Sequence, residues 1–157
     1  MNISSLTIAT FSTLWILLLI IFPSDLERIT LINLENILEK PSQDYTLGTD
    51  DLGRDIFARL ISGVKLSLFV AFVVVSFTSV FGTMFGIFAA WCGGGIDLLF
   101  VKIIDMFLAF PGILLAIALT GILGGGVQNI MIALCAVGWV GFARLARAQT
   151  LRVKSLD

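Results

Sequence analysis

The chain holds 157 residues, 58% of them hydrophobic and only 13% charged, with a mean hydropathy of +1.04. A soluble domain carries about 25% charged residues, so this balance points to lipid as the solvent. A net charge of −1 offers no electrostatic basis for binding nucleic acid, and the absence of histidine removes the commonest general base and the commonest metal ligand.

Four apolar runs, 6–22, 66–91, 98–123 and 127–143, dominate the pattern. A bilayer core of about 30 Å needs roughly 20 helical residues, within a range of about 17 to 25, and all four runs fit or slightly exceed that window. The expected fold class is therefore an all-α integral membrane protein, a polytopic helical bundle. Run 6–22 has no Lys or Arg before it and no small-residue cleavage site after it, since Pro23, Ser24 and Asp25 follow. It reads as an uncleaved first span and not as a signal peptide.

Residues 24–65 form a long polar loop carrying 8 of the 11 acidic and 5 of the 10 basic residues. Its part 26–39 mixes Leu and Ile with Glu and Asn and suits a short surface helix. Gly48 and Gly53 bracket Thr49, Asp50 and Asp51, which are turn and cap residue types. From Asp55 a helical period begins: Ile56, Phe57, Leu60, Ile61 and Val64 share a face, and Asp55 and Arg59 have the spacing of an i,i+4 pair. This reads as a short amphipathic helix on the membrane surface that turns at Gly63 into the next span.

The second span carries a stripe of small residues, Ser79, Gly82, Thr83, Gly86 and Ala90, on which another helix can approach closely. It ends at Cys92-Gly93-Gly94-Gly95. The third carries Lys102, Asp105 and Pro111, and Pro111 predicts a kink. Asp105 is either an ionisable group at membrane depth, and so a functional candidate, or the partner of Lys102 at the headgroups. Gly124-Gly125-Gly126 leaves three residues before the fourth span, which makes the third and fourth antiparallel neighbours. Arg144, Arg147, Arg152 and Lys154 then crowd the tail 144–157. Basic residues tie at five and five across the two sides, but four of them lie within eleven residues of a helix end, so both termini are placed in the cytoplasm. Cys92 and Cys135 follow no metal or disulfide spacing and read as free thiols.

Three ordered groups of residues carry a family resemblance over about residues 44 to 157. They are Leu47-Gly48-Thr49-Asp50 with Leu52-Gly53-Arg54-Asp55, Arg59-Leu60 and Ser67-Leu68; Gly94-Gly95-Ile96-Asp97 with Lys102, Asp105 and Ala109-Phe110-Pro111; and Gly138-Trp139 with Ala143-Arg144 and Arg147. Together they resemble the inner-membrane permeases of dipeptide, oligopeptide and nickel ABC importers. The family usually has Arg where this chain has Lys102. The resemblance implies a type I ABC importer permease-like fold in a bacterial-type inner membrane. It implies as partners a second permease subunit, two ATPase subunits, an extracytoplasmic substrate-binding protein and membrane lipid.

In that family a cytoplasmic loop with an E-A-A and Gly pattern follows the fourth helix and docks on the ATPase, and two more helices follow it. Ser155-Leu156-Asp157 falls where the docking helix would start, so the chain is expected to be the N-terminal part of such a permease, truncated after the fourth span. No cofactor, metal or catalytic residue is expected, and the chain has no G-x-x-x-x-G-K-[ST] phosphate loop. Candidate path or gate residues are Asp105, Phe110 and Pro111. Candidate ATPase-side contacts are Arg144, Arg147, Arg152 and Lys154, and candidate packing residues are Ser79, Gly82, Thr83 and Gly86. A secondary transporter or channel subunit, which should carry more charge at the bilayer midplane, and a small structural membrane protein remain the alternatives.

Overall fold

A computed structural model describes residues 30–156. The expected span 6–22, with Trp15, lies outside the described residues. The chain divides into two compact units, Met1–Leu68 and Phe69–Asp157. Among the described residues four long α-helices follow one another: α1 (Ile56–Cys92), α2 (Gly94–Leu108), α3 (Gly112–Leu123) and α4 (Val127–Lys154). Among the described residues the fold is all-α, with a single bridge between Thr49 and Asp55 in place of any strand.

In the first unit, the surface helix expected over 26–39 does not extend over 31–39, where the chain makes one 3-10 turn, Leu34–Asn36; residues 26–29 lie outside the described residues. The cause is competition for backbone groups. The Asn33 side chain accepts from the Glu35 amide, the Leu38 amide donates to the Asp50 carbonyl, and the Glu39 amide donates to the Thr49 hydroxyl. Amides committed to residues ten or more positions away cannot serve an i→i−4 ladder.

The second correction concerns residues 55–65. They are not a separate surface helix that turns at Gly63, because α1 runs unbroken through Gly63 for 37 residues, about 55 Å. Its start is set by Asp55, whose carboxylate accepts from the Phe57 and Ala58 amides as an N-cap. Gly63 has no need of a special conformation there: its φ is ordinary, and a Cβ added to it would meet none of the described residues within 4 Å.

The third correction concerns run 98–123, which is two helices and not one kinked helix. α2 closes with the Ala109 amide on the Asp105 carbonyl, and α3 opens at Pro111, whose φ of −56° and ψ of 119° leave the helical region. The two axes differ by 81°. Proline withholds an amide from α2 and disfavours helical backbone at Phe110, which marks the place of the interruption though not its angle. Beyond the apolar run 127–143, the basic tail continues α4 as helix to Lys154.

α1 and α4 are each long and apolar enough to cross a bilayer, and α2 with α3 pass the same test only as a bent pair. Residue pairings give the directions within the second unit. Thr78 lies against Gly138 and Gly86 against Ala143, both numbers rising together, so α1 and α4 run parallel. Phe107 packs on Trp139 while Asp97 meets Arg147, and Gly112 lies against Val137 while Gly124 approaches Asn129, so along both α2 and α3 the partners on α4 fall in number as the chain advances, each at its own angle. The three-residue link at 124–126 is tied by Asn129, whose side-chain amide donates to the carbonyls of Leu123, Gly124 and Gly125.

Candidate functional site

The first unit centres on Asp50. Its carboxylate accepts from the Leu52 and Arg54 amides at 2.9 Å, from Arg54 Nε at 2.9 Å, and from the Arg59 guanidinium. Desolvation favours the neutral acid here. The Arg54 amide, the Arg54 guanidinium and the Leu52 amide outweigh it, holding the carboxyl well below the usual carboxylate range. Arg59 thus reaches nine residues back to Asp50, a partner that helical spacing did not suggest. Beside this hub the Thr49 side chain is buried, donating to the Asn36 carbonyl and accepting from Glu39. Gly53 has a φ of +71°, and a Cβ there would run into the backbone of Asn33. Such a turn is open to glycine and closed to other residues.

In the second unit the small-residue stripe lies at a helix crossing. A Cβ added to Gly82 or Gly86 would come within 3.0 Å of α4 backbone, at the carbonyl oxygens of Trp139 and Ala143 respectively. Both glycines are buried, as are Ala89 and Ala90; Ser79 and Thr83 are half-buried on the flank, and the Ser79 hydroxyl donates to the Ser76 carbonyl within its own helix. Thr78, which the stripe omitted, is 2% exposed and meets Gly138, with its hydroxyl on the Val74 carbonyl. A hydroxyl satisfied inside its own helix acts outwardly as a small apolar group, a role that residue type alone does not reveal. Next to this crossing, Trp139 takes Phe100 and Phe107 at ring-centroid distances of 6.0 and 5.6 Å. An open apolar groove of about 740 Å³ runs along the same helices, lined by Phe77, Phe81, Phe85, Met131 and Trp139 among others.

Asp105, Phe110 and Pro111 all lie at or next to the α2–α3 break, and all three are exposed. Asp105 makes no ion pair among the described residues, with Lys102 or otherwise. The basic tail divides in two. Arg144 and Arg152 are exposed and also form no ion pair among the described residues. Arg147 instead grips Asp97, with Nε on Oδ1 at 2.6 Å and Nη2 on Oδ2 at 2.7 Å, and Lys154 Nζ donates to the Trp91 carbonyl at 3.0 Å. Asp97 entered the sequence reading only as part of a motif, because nothing local connects residues fifty positions apart. Cys92 and Cys135 are both free thiols.

Residues 82–157 match the family of inner-membrane components of binding-protein-dependent transport systems. The chain is 45% identical to the dipeptide transport system permease protein DppC of Alkalihalophilus pseudofirmus, over 78% of this chain and 40% of that protein. It is 37% identical to the glutathione transport system permease protein GsiD of Pectobacterium atrosepticum, over 95% of this chain and 52% of that one. Against the oligopeptide transport system permease protein OppC of Bacillus subtilis it is 36% identical, over 80% of this chain and 41% of its relative. The chain thus spans about half, or less, of the length of these relatives.

Proposed function

Because this chain belongs to the inner-membrane permeases of binding-protein-dependent ABC importers, we propose that it forms part of the path by which a peptide-like solute enters the cell. The observation that carries this reading is the 45% identity to a dipeptide permease across most of the chain. Relatives named for dipeptide, glutathione and oligopeptide favour a short peptide as cargo over nickel. ATP is hydrolysed on two separate ATPase subunits, a second permease subunit completes the path, and a substrate-binding protein delivers cargo from outside. The basic cluster that ends α4 supports placing both termini in the cytoplasm, in keeping with a four-span chain. On that side the exposed Arg144 and Arg152 face the ATPase or anionic lipid.

The bent α2–α3 pair supports a place for Asp105, Phe110 and Pro111 on the path. A break at membrane depth leaves backbone groups without helical partners, and such irregular backbone is tolerated where it lines a wet cavity or packs on protein. The test is co-purification of the full-length permease subunit that carries these residues with its ATPase and permease partners, followed by ATP-dependent uptake of a labelled dipeptide into reconstituted vesicles. Uptake that requires the binding protein supports the reading, and a complex that binds no ATPase overturns it. In the same assay Asp105→Asn should insert normally and reduce uptake, and unchanged uptake removes Asp105 from the path.

A further inference from the structure

Two contacts join the end of α4 to the turn between α1 and α2, and the glycine crossing accounts for neither. The Asp97–Arg147 pair is bidentate, at 2.6 and 2.7 Å, with its side chains 16% and 25% exposed. An isolated ion pair on an open surface contributes little, whereas a bidentate, half-buried arginine–carboxylate pair fixes geometry as well as charge. Seven residues further on, about 10 Å along the same helix, Lys154 caps the Trp91 carbonyl in the last turn of α1. Between the two anchored points, Gly93 and Gly94 have φ values of 66° and 55°, so the link from α1 to α2 is a sharp turn. One contact would leave a pivot, whereas two contacts two helical turns apart, the bidentate pair and the bond from the exposed Lys154, oppose swinging about either one. α4 is unbroken from Val127 to Lys154, so whatever moves its basic end moves a single rod.

We propose that Asp97 with Arg147, and Lys154 with the Trp91 carbonyl, form a two-point clamp that makes the basic end of α4 and the α1–α2 turn one moving body. A displacement imposed on that end by an ATPase subunit is then passed to α1 and α2. This inference rests on the reading of the chain as an ATP-driven permease. Asp97, Arg147 and Lys154 are positioning residues, and their loss uncouples the motor from the path without removing either.

The experiment uses the complete transporter, reconstituted with its ATPase subunits and binding protein, and measures dipeptide moved per ATP hydrolysed. Asp97→Asn is expected to assemble and hydrolyse ATP but to move about tenfold less cargo per ATP, within the range of ordinary coupling energies. The charge swap Asp97→Arg with Arg147→Asp should recover most of that ratio. A ratio unchanged in Asp97→Asn, or a swap no better than the single variant, overturns the clamp. If Asp97→Asn does not assemble, Lys154→Met must lower the same ratio, and an unchanged ratio there overturns it equally. A wild-type complex with no ATP-driven uptake overturns the transport reading itself, a result distinct from a coupled wild type beside an unaffected Asp97→Asn.

Discussion

Among the described residues, the first unit buries Thr49, Asp55 and Ile61 with Gly48 and Gly53, whereas the second buries Thr78, Ala89, Ala90, Ile104, Ala116, Ala133, Val140 and Ala143 with Gly82 and Gly86. Large apolar side chains stay exposed in both, Leu38 at 71% in the first unit and Phe72 at 73% and Ile113 at 78% in the second, so the two differ in what they bury. The polar loop of the first unit spends buried positions on Thr49 and Asp55, groups that satisfy backbone amides. Helices meant for lipid gain nothing by hiding Phe from hydrocarbon, so they bury small residues where backbones can approach. The Asp50 hub and the Gly82–Gly86 crossing are these two solutions side by side in one chain. Each should fail under a different perturbation.

The largest effect is expected at the crossing. Gly86→Leu pushes a branched side chain against the Ala143 carbonyl and should destabilise the folded protein by about 3 kcal/mol or more, beyond ordinary overpacking. Loss of the monodisperse peak on heating in detergent measures it. Gly63→Ala is the control in the same helix, where open space leaves only a gain of about 0.5–1 kcal/mol from helix propensity. Equal losses at the two positions would show that α1 is not held by close approach.

Next comes Gly53→Ala in the polar unit, which combines a left-handed φ with a collision at Asn33 and should cost about 1–3 kcal/mol. Its sign should appear as faster protease cleavage within 30–60 while the helical unit stays intact. Thr49→Val keeps the shape but strands the Glu39 amide, for about 1–3 kcal/mol, and the same protease assay reads it.

The smallest effect is in pH. The Asp50 carboxyl titrates lower in the folded loop than in the unfolded chain, so its stabilisation is complete above about pH 4 and is lost as pH falls through the depressed folded value. Amide exchange of residues 48–59 should stay slow at pH 5 and speed up in strong acid. Asp50→Asn should remove that dependence and leave the α1–α4 crossing unaffected. A crossing that loosens in parallel would show that the two devices are not separate.

Much of the site was legible before any coordinates. Gly82 and Gly86 declared themselves by spacing, since four residues return a helix to the same face. Pro111 announced an interruption through its missing amide, though not its size: proline costs the helix one bond, and the neighbours that decide between a bend and an 81° break lie elsewhere in the chain. Asp55 and Arg59 matched a local pair rule, yet Arg59 answers to Asp50. Local rules rank nearby partners and say nothing of a loop that folds back.

From the sequence alone came the solvent of the chain, the approximate extent of its apolar runs and the family they belong to, because composition and period depend only on which residues follow one another. The tertiary structure alone decided that α1 and α4 run parallel, that α1 starts ten residues before its apolar run, and that Arg147 belongs to Asp97 and not to the surrounding water. Those are contacts between residues about fifty or more positions apart, or competitions for a single backbone amide. Their outcome depends on which groups meet in space, and the order of the residues does not record that.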